Sequence, residues 1–173
     1  MSGRNLFTAA PEGALSPAAC LSLLKARKLT LATAESCTGG LIAQRITAVP
    51  GASGVYRGGV VSYWTQVKAS VLGVPQEILD RDGAVAESTA RAMAEGARRI
   101  TGAEVAVSVT GVAGPDSDER GNPVGRVFVG LAAPEETLCR HLELGAQSRE
   151  KIRDAAARHA SDMLAQYAGK RRG

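Results

Sequence analysis

Aromatic side chains are nearly missing from this chain: two Phe, one Trp and three Tyr among 173 residues. Proteins that grip single-stranded nucleic acid stack successive bases on rows of rings, and so few rings cannot build one. The core must come from Val, Leu, Ile and many Ala, small side chains that let helices pack closely on a sheet. Histidine is scarcer, with two copies. His141 falls in an expected strand and His159 on the inner stripe of an expected helix. A Ser-His-Asp or Cys-His arrangement therefore has few candidates, and a histidine-based metal site has almost none. Cys20, Cys37 and Cys139 are odd in number, widely spaced and without a CxxC. They suit a reducing cytosol better than a disulfide framework or a zinc site. No apolar run approaches membrane-spanning length, and MSGRNLFTAAPEGALS lacks the apolar stretch of a signal peptide. The expectation is a cytoplasmic protein with no membrane partner.

Neither sign of charge dominates. Lys and Arg number 21 against 17 Asp and Glu, a net +4. Lys170, Arg171 and Arg172 nearly account for that excess, so the body is close to neutral. A generic nucleic-acid binder needs a concentrated basic face, and no specific nucleic-acid partner is expected. A modest positive balance is compatible with a small anionic ligand without identifying it.

What is present fits one domain with a single sizeable core. Residues 1–15 mix Gly, Pro, Ala and polar side chains and read as a flexible arm. Residues 16–168 form the domain and 169–173 a basic tail. Ser16-Pro17 makes a cap and first helical residue for a short helix ending near Lys28. Strands are expected at Leu29–Ala34, Val55–Trp64 with a bulge at Gly58-Gly59, Val105–Val109, Val124–Ala132 and Thr137–Leu144. Helices are expected from Gly39, over Thr65–Leu72, from Pro75, over Ala86–Ile100 and from Ser148 to about Tyr167. On the last, Ile152, Ala155, Ala156, His159, Met163 and Tyr167 share a stripe. This alternation predicts an α/β domain with a mixed sheet, the neighbouring C-terminal strands forming an antiparallel pair.

Three stretches could carry chemistry. In LATAESCTGGLIAQ, Leu31 to Gln44, a hydroxyl, a thiol, a second hydroxyl and two glycines sit where a strand hands over to a helix. Ligands bind at such strand ends in α/β folds. Amides of the Gly39-Gly40 turn could stabilise an oxyanion. Ser36 could be nucleophile, ligand or cap, and Thr38 could equally cap the helix. Cys37 could attack instead, its thiolate depending on the helix dipole. In Ser62-Tyr63-Trp64-Thr65-Gln66-Val67-Lys68, Tyr63 and Lys68 stand five apart across a strand-to-helix junction and can reach one cleft. The third stretch, SVTGVAGP from Ser108, is again a strand end followed by glycines. With histidine unavailable, acyl chemistry would need a lysine or tyrosine of lowered pKa as its base.

The segments TAESCTGGLIA, YRGGVVSYWTQVKASVLGV, GAVAESTARAMAEGA, VSVTGVAGPD and NPVGRVFVGLA together resemble the C-terminal domain of the CinA family, over roughly Pro17 to Tyr167. Stand-alone versions are nicotinamide-nucleotide amidases of the PncC type. They hydrolyse the carboxamide of nicotinamide mononucleotide to nicotinate mononucleotide and ammonia. The resemblance implies a three-layer α/β/α fold with a mixed, mostly parallel sheet, no cofactor and no catalytic metal, and homo-oligomers, dimeric or larger. It implies a serine nucleophile assisted by tyrosine and lysine, roles that fall on Ser36, Tyr63 and Lys68. Substrate contacts fall on Thr38, Gly39 and Gly40, on Thr110 and Gly111, and on Arg149, with Arg153 one turn on as its rival for the phosphate. Trp64-Thr65 departs from the family's Ser-Asn, and Ala86 stands where a capping serine is common. The alternative is a non-catalytic pyridine-nucleotide-binding or regulatory module, which would have no need of the Ser-Tyr-Lys set.

Overall fold

Ser16 starts the first helix as its residue type dictates: its hydroxyl accepts from the Ala19 N–H at 3.2 Å, and Pro17 occupies the first turn. In the computed structural model, which describes residues 6–170, the strands are β1 (Leu6–Phe7), β2 (Leu31–Glu35), β3 (Tyr56–Val61), β4 (Val105–Gly111), β5 (Arg126–Ala132) and β6 (Thr137–Glu143). The α-helices are α1 (Pro17–Ala26), α2 (Leu41–Thr47), α3 (Thr65–Ser70), α4 (Gln76–Arg81), α5 (Glu87–Thr101) and α6 (Arg149–Lys170). The strands form one sheet in the order β1-β6-β5-β4-β2-β3. β1 runs parallel to β6, and β4, β2 and β3 are mutually parallel; β5 is antiparallel to both neighbours. The mixed, mostly parallel sheet is thus the expected one.

Two apolar clusters make the layers. Leu24, Ile42, Ile46, Val107, Val129, Ile152, Ala156 and Met163 join α1, α2 and α6 to one sheet face. Ala32, Ala34, Leu72, Val74, Leu79, Met93 and Ala97 join α5 and the α3–α4 connection to the other. The stripe on α6 falls inward in full. On α5, Gly96 lies against the backbone of Leu72, where a Cβ would overlap the Leu72 carbonyl. Gly96→Ala is therefore expected to destabilise the fold by about 2–3 kcal/mol, as overpacking of a tight core does. Urea denaturation checks it; an unchanged midpoint would mean that the α5 contact is loose.

Three expectations change. Residues 1–15 are not all a free arm: Leu6 and Phe7 pair with His141 and Leu142 of β6, and the Ala9 carbonyl is 2.8 Å from His159 Nε2. The arm's first five residues lie outside the described ones. Of the basic tail, Gly169 and Lys170 continue α6, and Arg171 and Arg172 lie outside the described residues. Thr110 and Gly111 belong to β4, paired with Phe128 and Val127, not to a loop.

The parallel run β4-β2-β3 fixes the site. Its three strands end at one edge of the sheet, gathering Ser36, Ser62 and the loop after Gly111, as the strand ends of α/β sheets do around ligands.

Candidate active site

The turn after β2 is built by a residue that the motif hides. Glu35 ends a strand that is buried along its whole length, and its carboxylate turns onto the start of α2. It accepts from the N–H groups of Gly40 at 3.1 Å, Ile42 at 3.0 Å and Ala43 at 2.8 Å. Neither Ser36 nor Thr38 caps this helix: its cap residue is Gly40, at φ 96° with no side-chain cap. Gly39 and Gly40 hold positive φ values of 60° and 96°, which only glycine adopts freely and which let the chain turn at once into α2.

Ser36 and Lys68 meet. Lys68, on α3, has 1% of its surface exposed, and its Nζ lies 2.9 Å from Ser36 Oγ. The same Nζ donates to the Ser62 carbonyl at 2.6 Å. Burial pushes the Lys68 amine from 10.5 down to about 8, against a smaller upward pull from Cys37. About a tenth of this amine is then neutral at pH 7, enough to act as a general base. Cys37 faces the opposite way energetically. Burial pushes its thiol up to about 12, and the nearby cations Lys68, Arg149 and Arg153 do not offset that. It is no nucleophile at neutral pH.

The amides divide unevenly. Gly39 N–H is taken by the Ser36 carbonyl at 2.9 Å, and Gly40 N–H by Glu35. The expected oxyanion donors in the Gly39-Gly40 turn are therefore committed. Among the described residues, the N–H groups of Cys37 and Thr38 take no backbone partner, and the Cys37 N–H meets its own sulfur. Thr38 Oγ1 is buried and makes no hydrogen bond among the described residues, a state that costs about 1–3 kcal/mol unless something meets it.

Tyr63 does not join the pair. It is 60% exposed, and its phenol oxygen accepts from Arg149 Nη2 at 2.6 Å. Arg149 Nη1 donates to the Gly114 carbonyl, also at 2.6 Å, so one arginine clasps the ends of β3 and β4 together. Arg153, one turn along α6, instead donates to the Thr38 carbonyl at 2.8 Å and so touches the turn after Ser36 directly. Beside it a hollow of about 940 Å³ is lined by Arg45, Lys151 and Arg153 among others. Thr110 spends its hydroxyl on the Ala84 carbonyl at 2.6 Å. Gly111 is needed where β5 comes close, since a Cβ would lie 2.7 Å from the Arg126 carbonyl. Both hold the frame and neither offers the site a free side-chain donor.

Sequence reading passed over Glu35 and gave Ser62 no role. A carboxylate closing an otherwise uncharged strand, five residues before the helix cap, was the available signal for Glu35. Ser62 acts through its main chain, which no side-chain motif encodes.

The CinA C-terminal domain model matches residues 15–168. A CinA-like protein of Frankia casuarinae is 50% identical over 144 residues, covering 83% of this chain and 33% of that protein. A CinA-like protein of Syntrophus aciditrophicus is 46% identical over 149 residues, covering 86% and 36%. The chain spans roughly a third of the length of the curated relatives it matches. Among solved structures, the competence/damage inducible protein from Agrobacterium tumefaciens superposes with TM-score 0.82 at 38% identity, covering 87% of this chain and 91% of that one. A CinA superfamily protein from Escherichia coli gives 0.84 at 34%, covering 87% of each.

Proposed function

The chain belongs to the CinA C-terminal domain family, and from that premise we propose that it hydrolyses the carboxamide of nicotinamide mononucleotide to nicotinate mononucleotide and ammonia. The observation that carries the reading is the buried contact between Lys68 Nζ and Ser36 Oγ, 2.9 Å. A pure binding module has no use for a lysine kept out of water beside a serine, because burial of the amine costs stability.

The Ser62 carbonyl holds one N–H of the neutral Lys68 amine, which leaves its lone pair for the Ser36 hydroxyl. Ser36 Oγ attacks the carboxamide carbon as its proton passes to Lys68. The C=O π pair moves onto oxygen, where the uncommitted N–H of Thr38 is the donor at hand, with the Cys37 N–H beside it held only by its own weakly accepting sulfur. Collapse of this intermediate expels ammonia, which carries away the proton held on Lys68. Water, deprotonated by the same amine, then splits the acyl ester and frees the acid. The Thr38 hydroxyl is the side chain best suited to meet the substrate's polar atoms, since nothing else claims it.

Arg149 suits the substrate phosphate. Its guanidinium is held by a phenol and a carbonyl, neutral acceptors that an anion displaces readily. Displacement would also free the Tyr63 phenol to turn toward Ser36 and share the proton transfer. Arg153 has a different task, steadying the turn through the Thr38 carbonyl. Arg149→Ala is thus expected to raise KM about tenfold or more, the worth of charge-assisted hydrogen bonds. Arg153→Ala should act mainly on kcat. Steady-state kinetics with both variants check the split, and a KM effect confined to Arg153→Ala would move the phosphate to the hollow beside that residue.

Ammonia release from nicotinamide mononucleotide by the purified chain tests the function itself. Tight binding without turnover, measured by calorimetry, would return the chain to the regulatory-module reading.

A further inference from the structure

Glu35 is 1% exposed, an unusual place for a carboxylate. It directly precedes the nucleophile, and its two oxygens satisfy three N–H groups at the start of α2. Its own carbonyl accepts from the Ser62 N–H at 2.8 Å and lies 3.5 Å from the Ser62 hydroxyl. Ser62 in turn holds Lys68 Nζ through its carbonyl at 2.6 Å. One residue thereby ties together the helix start, the nucleophile and the strand end that pins the base.

We propose that Glu35 is a positioning residue for Ser36: its carboxylate locks the turn from Cys37 to Gly40 and occupies the donors of α2, while the Thr38 amide has no acceptor among the described residues. This deepens the amidase reading and rests on Ser36 being the nucleophile, though not on which amide it attacks. The acceptor geometry is demanding. One oxygen serves Gly40 and Ile42 while the other serves Ala43, so a glutamine must set its own NH2 against a backbone N–H whichever way it is turned. Aspartate lacks the methylene needed to reach. Misplacement of a nucleophile by about 1 Å is enough to cost about 100-fold in rate.

The experiment uses a fluorophosphonate that phosphonylates reactive serines. Ser36 Oγ forms the P–O bond, fluoride leaves, and the hydroxyl proton goes to Lys68. Second-order labelling rates are measured for the full chain, Glu35→Ala and Glu35→Gln between pH 6 and 10, well below each protein's Tm. Glu35→Ala is expected to label about 100-fold more slowly, with the inflection near pH 8 set by Lys68 unmoved. Formate, a carboxylate small enough to refill the deleted group's place on the three amides, should restore at least about tenfold of that rate saturably, and chloride should not. Glu35→Gln should be slow and indifferent to formate.

Labelling of Glu35→Ala at the wild-type rate overturns the proposal. So does slow labelling that formate cannot rescue, or a displaced inflection, which would mean that the fold has loosened around Lys68. Failure of the wild-type chain to label at Ser36 removes the nucleophile and this proposal together. Labelling without turnover of nicotinamide mononucleotide removes the substrate alone.

Discussion

Ser36→Ala is expected to lower ammonia release by about 10³-fold or more while leaving the fold and nucleotide binding in place. Loss of a nucleophile that acts in a unit with its base removes nearly all that the unit contributes. Here the hydroxyl's mapped side-chain partner is the Lys68 amine, so its deletion leaves no third group stranded. Lys68→Met should reach the same floor, and the double variant should be no slower than either single one, because the two residues act on one proton. Activity of the wild type should rise with pH and level off above about 8, as the Lys68 amine loses its proton. Ammonia assays of the three variants against wild type check this. If Ser36→Ala retained wild-type activity, the nucleophile would have to be sought elsewhere, and Cys37, its thiol pushed up to about 12, could not replace it at pH 7.

Much of this was legible in the residues, for reasons that can be located. The α6 stripe, the Ser16 cap and the paired strands β5 and β6 are local patterns, and local periodicity survives folding when it agrees with the core. Ser36 and Lys68 were paired by the family resemblance; the residues alone left Ser36 open as nucleophile, ligand or cap and put Lys68 only within reach of a cleft. Three of the failures are partner assignments. Thr110 looked like a loop hydroxyl, but β4 runs two residues longer because β5 pairs with it through Gly111. The oxyanion donors were placed on the Gly39-Gly40 turn, yet the Ser36 carbonyl takes the Gly39 amide and Glu35 the Gly40 amide, contacts between neighbours in the chain that depend on the turn's three-dimensional path. Tyr63 was placed on the serine, whereas an arginine 86 positions away holds its phenol. Residue type predicts what a group can do; which neighbour claims it is settled by tertiary approach.

Stability should respond to Lys68 in the opposite sense from activity. The unfolded chain keeps this proton up to about 10.5 and the folded chain only up to about 8. Below about 8 the folded state bears the full cost of an amine that burial disfavours in its charged form, about 3 kcal/mol. Between about 8 and 10.5 the unfolded state binds more protons, so stability gained by the wild type rises with pH and the cost fades. Lys68→Met keeps the apolar length of the side chain and removes the charge, but strands the Ser62 carbonyl at about 1–3 kcal/mol. At pH 7 the two terms nearly cancel or favour methionine, so the dead variant should be at least as stable as the wild type. At pH 10.5 only the lost contacts to the Ser62 carbonyl and the Ser36 hydroxyl remain, and the variant should be the weaker protein. Urea unfolding at both pH values measures the crossover. A variant equally weakened at pH 7 and 10.5 would show that Lys68 pays no burial cost, and an amine that costs nothing to bury has no lowered pKa with which to serve Ser36 as a base.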